Sequence, residues 1–146
     1  MSRYTARIHA LNLIFQFPFH SEWDHAMFVG ARNQYLNDLP DLQGFIRGLH
    51  PDKEDQAFIE EETSGTFVNL VQIDALINER LKAWELERIA KIDLALLRLA
   101  IYEIRFSSDI TSATAINEAV ELAKVYGTDE SPAFVNGILG QVAKDG

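Results

Sequence analysis

Residues 92–106 leave almost no polar face. Apolar side chains fill the segment from Ile92 to Phe106, and only Asp93, Arg98, Glu103 and Arg105 interrupt them. A helix that is apolar nearly all round must be surrounded by other elements. The segment therefore predicts the central helix of a folded body. It is too short to span a bilayer, which needs about eighteen or more apolar residues in a row. The N-terminus has no signal-peptide pattern.

The rest of the chain has to supply the surround, and its periodicity is helical. Tyr4, Ile8, Leu11 and Phe15 fall on one face of a first helix, widened by Ala6, Ala10, Leu13 and Phe17. Ser2 is a candidate cap and Pro18 a stop. A second helix is expected over roughly 24–38, before Leu39-Pro40. Pro40, Gly44, Gly48 and Pro51 predict a loop or a set of short turns over 38–53. Residues 54–82 read as mostly helical, with a weak spot at Thr63-Ser64-Gly65. Residues 113–126 form an amphipathic helix capped by Thr111 or Ser112 and closed by Gly127. Ser131-Pro132 opens a last helix with Val135, Ile138, Leu139 and Val142 inward. No alternating strand pattern, internal repeat or low-complexity segment is visible. The expected fold is all-α, a compact bundle of about six to seven helices. At 146 residues and 47% hydrophobic content, the chain can build one core without disulfides or a structural metal.

Composition narrows the chemistry. The absence of cysteine excludes a disulfide scaffold, a thiolate zinc site, an iron–sulfur cluster and a cysteine nucleophile, and fits a reduced, cytoplasmic setting. The formal net charge is −9. Three basic residues face two acidic ones in 1–37, two face eight in 38–62, and eight face twelve in 63–146. The excess negative charge is thus concentrated in the middle. Such a balance argues against coating nucleic acid through the overall field, but leaves room for a local basic patch.

Candidate residues divide between bland and functional readings. His20 and His25 in HSEWDH are five apart, which is not helical ligand spacing, so an exposed polar segment is the favoured reading and no metal site is expected. Glu118, Glu121 and Lys124 read as a solvated helix face. No phosphate-binding glycine loop and no nucleophile elbow is present, and no enzyme or cofactor is expected. Arg98, inside the most apolar helix, needs a partner such as Asp93, Glu103 or an acid on another helix; equally, it marks a binding site. Phe134 reads as core on periodicity alone. Gly137 within a helix costs about 1 kcal/mol relative to alanine, a cost that close approach of another backbone would justify. Arg3, Arg7 and His9 make a small basic strip on the first helix, with a solvated face as the default reading. Single-stranded RNA binding asks for cations beside aromatic faces.

The second half adds longer runs. Trp84-Glu85-Leu86-Glu87-Arg88-Ile89 precedes Ile92-Asp93 and Leu96-Leu97-Arg98-Leu99-Ala100-Ile101-Tyr102-Glu103. Ala115-Ile116-Asn117-Glu118-Ala119-Val120-Glu121-Leu122-Ala123-Lys124, Tyr126-Gly127 and Phe134-Val135-Asn136-Gly137-Ile138-Leu139 follow. In order and spacing these runs resemble the NusB family of bacterial transcription antitermination factors. The first half resembles it only in layout. The resemblance implies an all-α fold of two small helical subdomains and a non-enzymatic RNA-binding protein. It implies a partner, the small-subunit ribosomal protein NusE, and a ligand, the boxA element of nascent ribosomal RNA. It further implies that the complex docks on RNA polymerase. Carried over residue by residue, the RNA-contacting positions are Arg3, Arg7, Phe15, Arg98 and Phe134, with Lys124 added on charge.

The departures have consequences. Many relatives carry a dense arginine run at the N-terminus, where this chain has two arginines and a histidine. Thr111 and Gly140 stand where proline and aspartate are common. Fewer cations mean weaker RNA binding and a shallower salt slope, with the partner supplying positive surface. Two alternatives stand beside this reading. One is a protein-interaction module that has lost RNA binding. The other, the NusB-like domain of certain ribosomal RNA cytosine methyltransferases, is disfavoured because no catalytic domain follows. A homodimer through an apolar helix face is a further option.

Overall fold

The computed structural model describes residues 1–17, 25–47, 52–82 and 88–145. They form seven helices and no strand: α1 (Arg3–Phe15), α2 (His25–Arg47), α3 (Lys53–Val68), α4 (Leu70–Asn78), α5 (Lys91–Arg105), α6 (Ser112–Tyr126) and α7 (Ser131–Asp145). The all-α expectation holds. The backbone divides into two compact units, residues 1–64 and 65–146. No described helix is long and apolar enough to cross a membrane.

In residues 1–64, Ser2 caps α1 as expected, its Oγ accepting the Thr5 N–H at 3.0 Å. Ala6, Ala10, Leu11, Leu13 and Ile14 are buried. Ala6 and Leu13 meet Ile59 of α3 in a cluster that Tyr35, Leu36 and Phe58 close over. Phe17 meets Phe28 edge to face, with centroids 5.7 Å apart. Asp52 starts α3 by accepting the Asp55 N–H at 2.8 Å, and this bond holds its carboxyl below the usual aspartate range.

One expectation fails here. The loop read over 38–53 is largely helix, because α2 runs through Pro40 and Gly44 to Arg47. A proline removes one backbone hydrogen bond and crowds the preceding turn. Local propensity is a weak prior, and the helical stretches on both sides override it. Pro18 and the His20, Glu22 and Asp24 cluster lie outside the described residues, and so do Gly48 and Pro51.

In residues 65–146, α5 is the central helix that its apolar sequence demanded. Every residue from Asp93 to Glu103 is buried, and α4, α6 and α7 all pack against it. The helical break falls at Asn69, between α3 and α4, and not at Thr63–Gly65. Gly65 has a steric role instead. A Cβ built there would lie 2.1 Å from Tyr102 Cε1, so the ring occupies the space a side chain would need. Asn69 Nδ2 donates to the Gly65 carbonyl at 2.8 Å and marks the local irregularity.

Thr111 caps α6, accepting the Thr114 N–H at 3.1 Å. Gly127 ends it, and here too the requirement is space. A Cβ at Gly127 would stand 2.5 Å from both Cβ and Oγ of Ser131. Ser131 in turn accepts the Thr128 N–H at 2.9 Å. The corner between α6 and α7 is therefore closed tightly before α7 begins.

Candidate nucleic-acid interface

A surface for single-stranded RNA needs guanidinium or ammonium groups for phosphate and flat rings for bases. The six candidate residues separate by burial and by unit.

On α1, Arg3 and Arg7 are one turn apart and share Phe58 of α3. The Arg3 guanidinium carbon stands 4.0 Å from the ring centroid and that of Arg7 5.5 Å. Arg3 is exposed, whereas Arg7 is buried. The solvated basic strip predicted for this helix thus narrows to Arg3. The spacing put both arginines on one face, but could not say that Phe58 would cover part of it.

His9 is half-buried. Its Nδ1 lies 2.8 Å from Tyr35 Oη, and the two rings meet edge to face. Burial pushes the imidazole below its ordinary range and the Tyr35 phenol above its own. The folded chain therefore resists protonating His9 more than the unfolded chain does. The stabilisation from a neutral His9 is complete above the unfolded value of about 6.5 and is lost as pH falls from there through the depressed folded value. Denaturation midpoints should fall more steeply for the native chain than for His9→Gln as pH drops below this point. Parallel midpoint curves for the two proteins would contradict this account.

Phe15, at the far end of α1, is 44% exposed. Tyr4 is 40% exposed. Eleven residues of helix turn through about three full turns, so the two rings share a face, about 16 Å apart along the axis. Tyr4, Ile8, Leu11 and Phe15 form one stripe along the helix. Leu11 is buried, but both ends of the stripe are open to solvent. Tyr4 is an aromatic candidate that the sequence reading put on a helix face without giving it a role. Its signal was membership of the same stripe as Phe15.

In residues 65–146 the candidates behave differently. Arg98 is 1% exposed. Its Nε donates to Asp74 Oδ1 at 2.9 Å and its Nη2 to Asp74 Oδ2 at 2.8 Å. The fork is the structural ion pair of the bland reading, made with an acid on another helix, α4.

Lys124 is exposed and pairs with Glu121 at 3.0 Å. Val125 and Tyr126 beside it are also exposed. Phe134 is half-buried in the early part of α7. The short 127–130 connection joins the end of α6 to the start of α7, so Lys124, Tyr126 and Phe134 flank one corner. Asn136 and Gly137 are exposed on the same helix. A Cβ on Gly137 would meet nothing within 4 Å. The close backbone approach that would justify a glycine there is absent among the described residues. Likewise, the described residues hold no group of three His, Asp or Glu side chains able to take a metal ion.

Comparison with known proteins gives a consistent pattern. Residues 4–144 match the NusB family model. The chain is 39% identical over 143 residues to the transcription antitermination protein NusB of Agathobacter rectalis, covering 98% of this chain and 100% of that protein. It is 40% identical over 144 residues to the protein of the same name from Acetivibrio thermocellus, covering 99% and 90% respectively. Among solved structures, T. maritima NusB matches with a TM-score of 0.79 at 33% identity, covering 99% of this chain and 92% of that one.

Proposed function

The chain belongs to the NusB family, and from that membership we propose that it is a cytoplasmic RNA-binding factor of transcription antitermination. With NusE, it holds boxA-type single-stranded RNA of nascent ribosomal transcripts. The assembly then acts on the RNA polymerase elongation complex and suppresses termination. The observation that carries this reading is the open ring of Phe15 on the helix that begins with exposed Arg3. A flat ring and a cation on one rigid element are what a base and its phosphate require.

Four of the six candidates fit direct contact: Arg3 and Lys124 for phosphate, Phe15 and Phe134 for bases. Arg7 and Arg98 act from inside the fold. Arg7 sits beside Phe58, while Arg98 fixes α5 to α4 through Asp74. Two exposed cations release few counterions, so the salt slope of the isolated chain should be shallow, about −1.4 in log K against log salt for a single strand.

The test is a titration of boxA-type RNA at several salt concentrations, with and without NusE. Weak binding with a shallow slope, tightened by NusE, is the expected result. Tight binding by the free chain at physiological salt would overturn the assignment of phosphate contacts. Binding to NusE with no effect on RNA would favour the protein-interaction module.

A further inference from the structure

Two arginines of residues 1–64 share an arrangement. Arg3 lies over Phe58 and 3.8 Å from Glu54, while Arg32 lies over Phe28 and 3.4 Å from Glu60. Both carboxylates come from α3, within the acidic segment 38–62. The two pairs differ in exposure. The Arg32 side chain is 18% exposed and also donates to Ser64 Oγ at 3.0 Å, so its contacts tie α2 to α3. The Arg3 and Glu54 side chains are 45% and 83% exposed.

We propose that Glu54 is a built-in stand-in for phosphate: it occupies the Arg3 guanidinium in the free protein and yields to a phosphodiester of the transcript. The inference rests on the RNA-binding reading above and adds how that site is regulated. An ion pair this exposed is weakly held and screened by salt, so it exchanges readily. Carboxylate and phosphate oxygens accept from a guanidinium in the same planar geometry. Phe58 holds the plane of that guanidinium by a cation–π contact, so either oxyanion meets the same presentation. Glu54 also has the advantage of being tethered, because its local concentration never falls. A lone phosphate competes poorly with it. A strand that brings a base to a ring and a phosphate to Arg3 at once competes well. The acidic segment thereby suppresses binding to arbitrary anions.

The experiment uses the full chain, a labelled boxA-type RNA with NusE present, and four proteins: native, Glu54→Gln, Arg3→Gln and the double variant. A second measurement follows the Arg3 Nε–H resonance during titration with inorganic phosphate. Glu54→Gln should tighten RNA binding about two- to fivefold at low salt, the range an exposed pair spans, and less at high salt. It should give no gain when Arg3 is already glutamine. Phosphate should move the Arg3 resonance at lower concentration in Glu54→Gln than in the native chain. An equal gain in the Arg3→Gln background would show a general charge effect and overturn the exchange. An Arg3 resonance indifferent to phosphate in both proteins would overturn it as well. If no protein bound RNA but the resonance still responded earlier in Glu54→Gln, the exchange would stand and the RNA reading would fall.

Discussion

Asp74→Ala is expected to destabilise residues 65–146 by about 2–3 kcal/mol, the cost of losing charge-assisted bonds to a buried guanidinium from a partly exposed carboxylate. The carboxylate receives two charge-assisted bonds from a guanidinium that is itself 1% exposed. Alanine removes both acceptor oxygens and leaves the charge in place on α5. The Asp74 side chain is 21% exposed, so water can reach part of the vacated space and limits the loss. The double variant Asp74→Leu with Arg98→Met removes both charges together and should recover most of the loss, since apolar replacements of buried pairs are often neutral or better. Urea unfolding of the three proteins is the measurement. A near-native midpoint for Asp74→Ala would mean that the pair carries little of the stability of residues 65–146.

The second large effect is steric. Gly65→Ala should destabilise the protein by about 1–3 kcal/mol, even though alanine is the better helix former. The new Cβ would fall 2.1–2.7 Å from two ring carbons and the phenol oxygen of Tyr102. That ring cannot swing freely, because it is buried and stacks on Phe106 with centroids 6.5 Å apart. Pairing Gly65→Ala with Tyr102→Leu should restore part of the loss by giving the methyl room. If Gly65→Ala unfolds at a higher temperature than the native chain, the helix-propensity gain outweighs the clash and the steric account fails.

These two positions also show what the sequence could and could not convey. The apolar run 92–106 announced a central helix because an element with no polar face has one physical solution, and α5 takes it. The same run showed that Arg98 needed a partner. An acid on another helix stood among the options beside Asp93 and Glu103, but the run could not single out Asp74, 24 residues away in the chain. Gly65 was read as a breaker, which is the ordinary meaning of glycine in a helix. Its actual meaning depends on a ring 37 positions later in the chain. Pro40 and Gly44 misled for a related reason: local preference lost to the surrounding helix.

The candidate interface was legible to a similar degree. Periodicity grouped Tyr4 with Phe15 and Arg3 with Arg7, and the grouping is correct. Which face meets solvent depends on what packs against it. Arg7 is buried beside Phe58 of α3, whereas the ring of Phe15 is exposed. For Phe134, periodicity argued for core and the family resemblance for contact. The half-buried ring satisfies part of each.

The corner at Gly127 and Ser131 carries a consequence for how such a chain can vary. Its side chains can change wherever they point outward, but its number of links cannot. A helix advances about 100° with each residue. With the Ser131 hydroxyl anchored on the Thr128 amide, Phe134 three residues on has a fixed bearing, and adding or deleting one link between the two would turn the ring by about 100°. Outward-facing chemistry at this bend is therefore negotiable, whereas Gly127, Ser131 and the count from Ser131 to Phe134 set the aim of the ring.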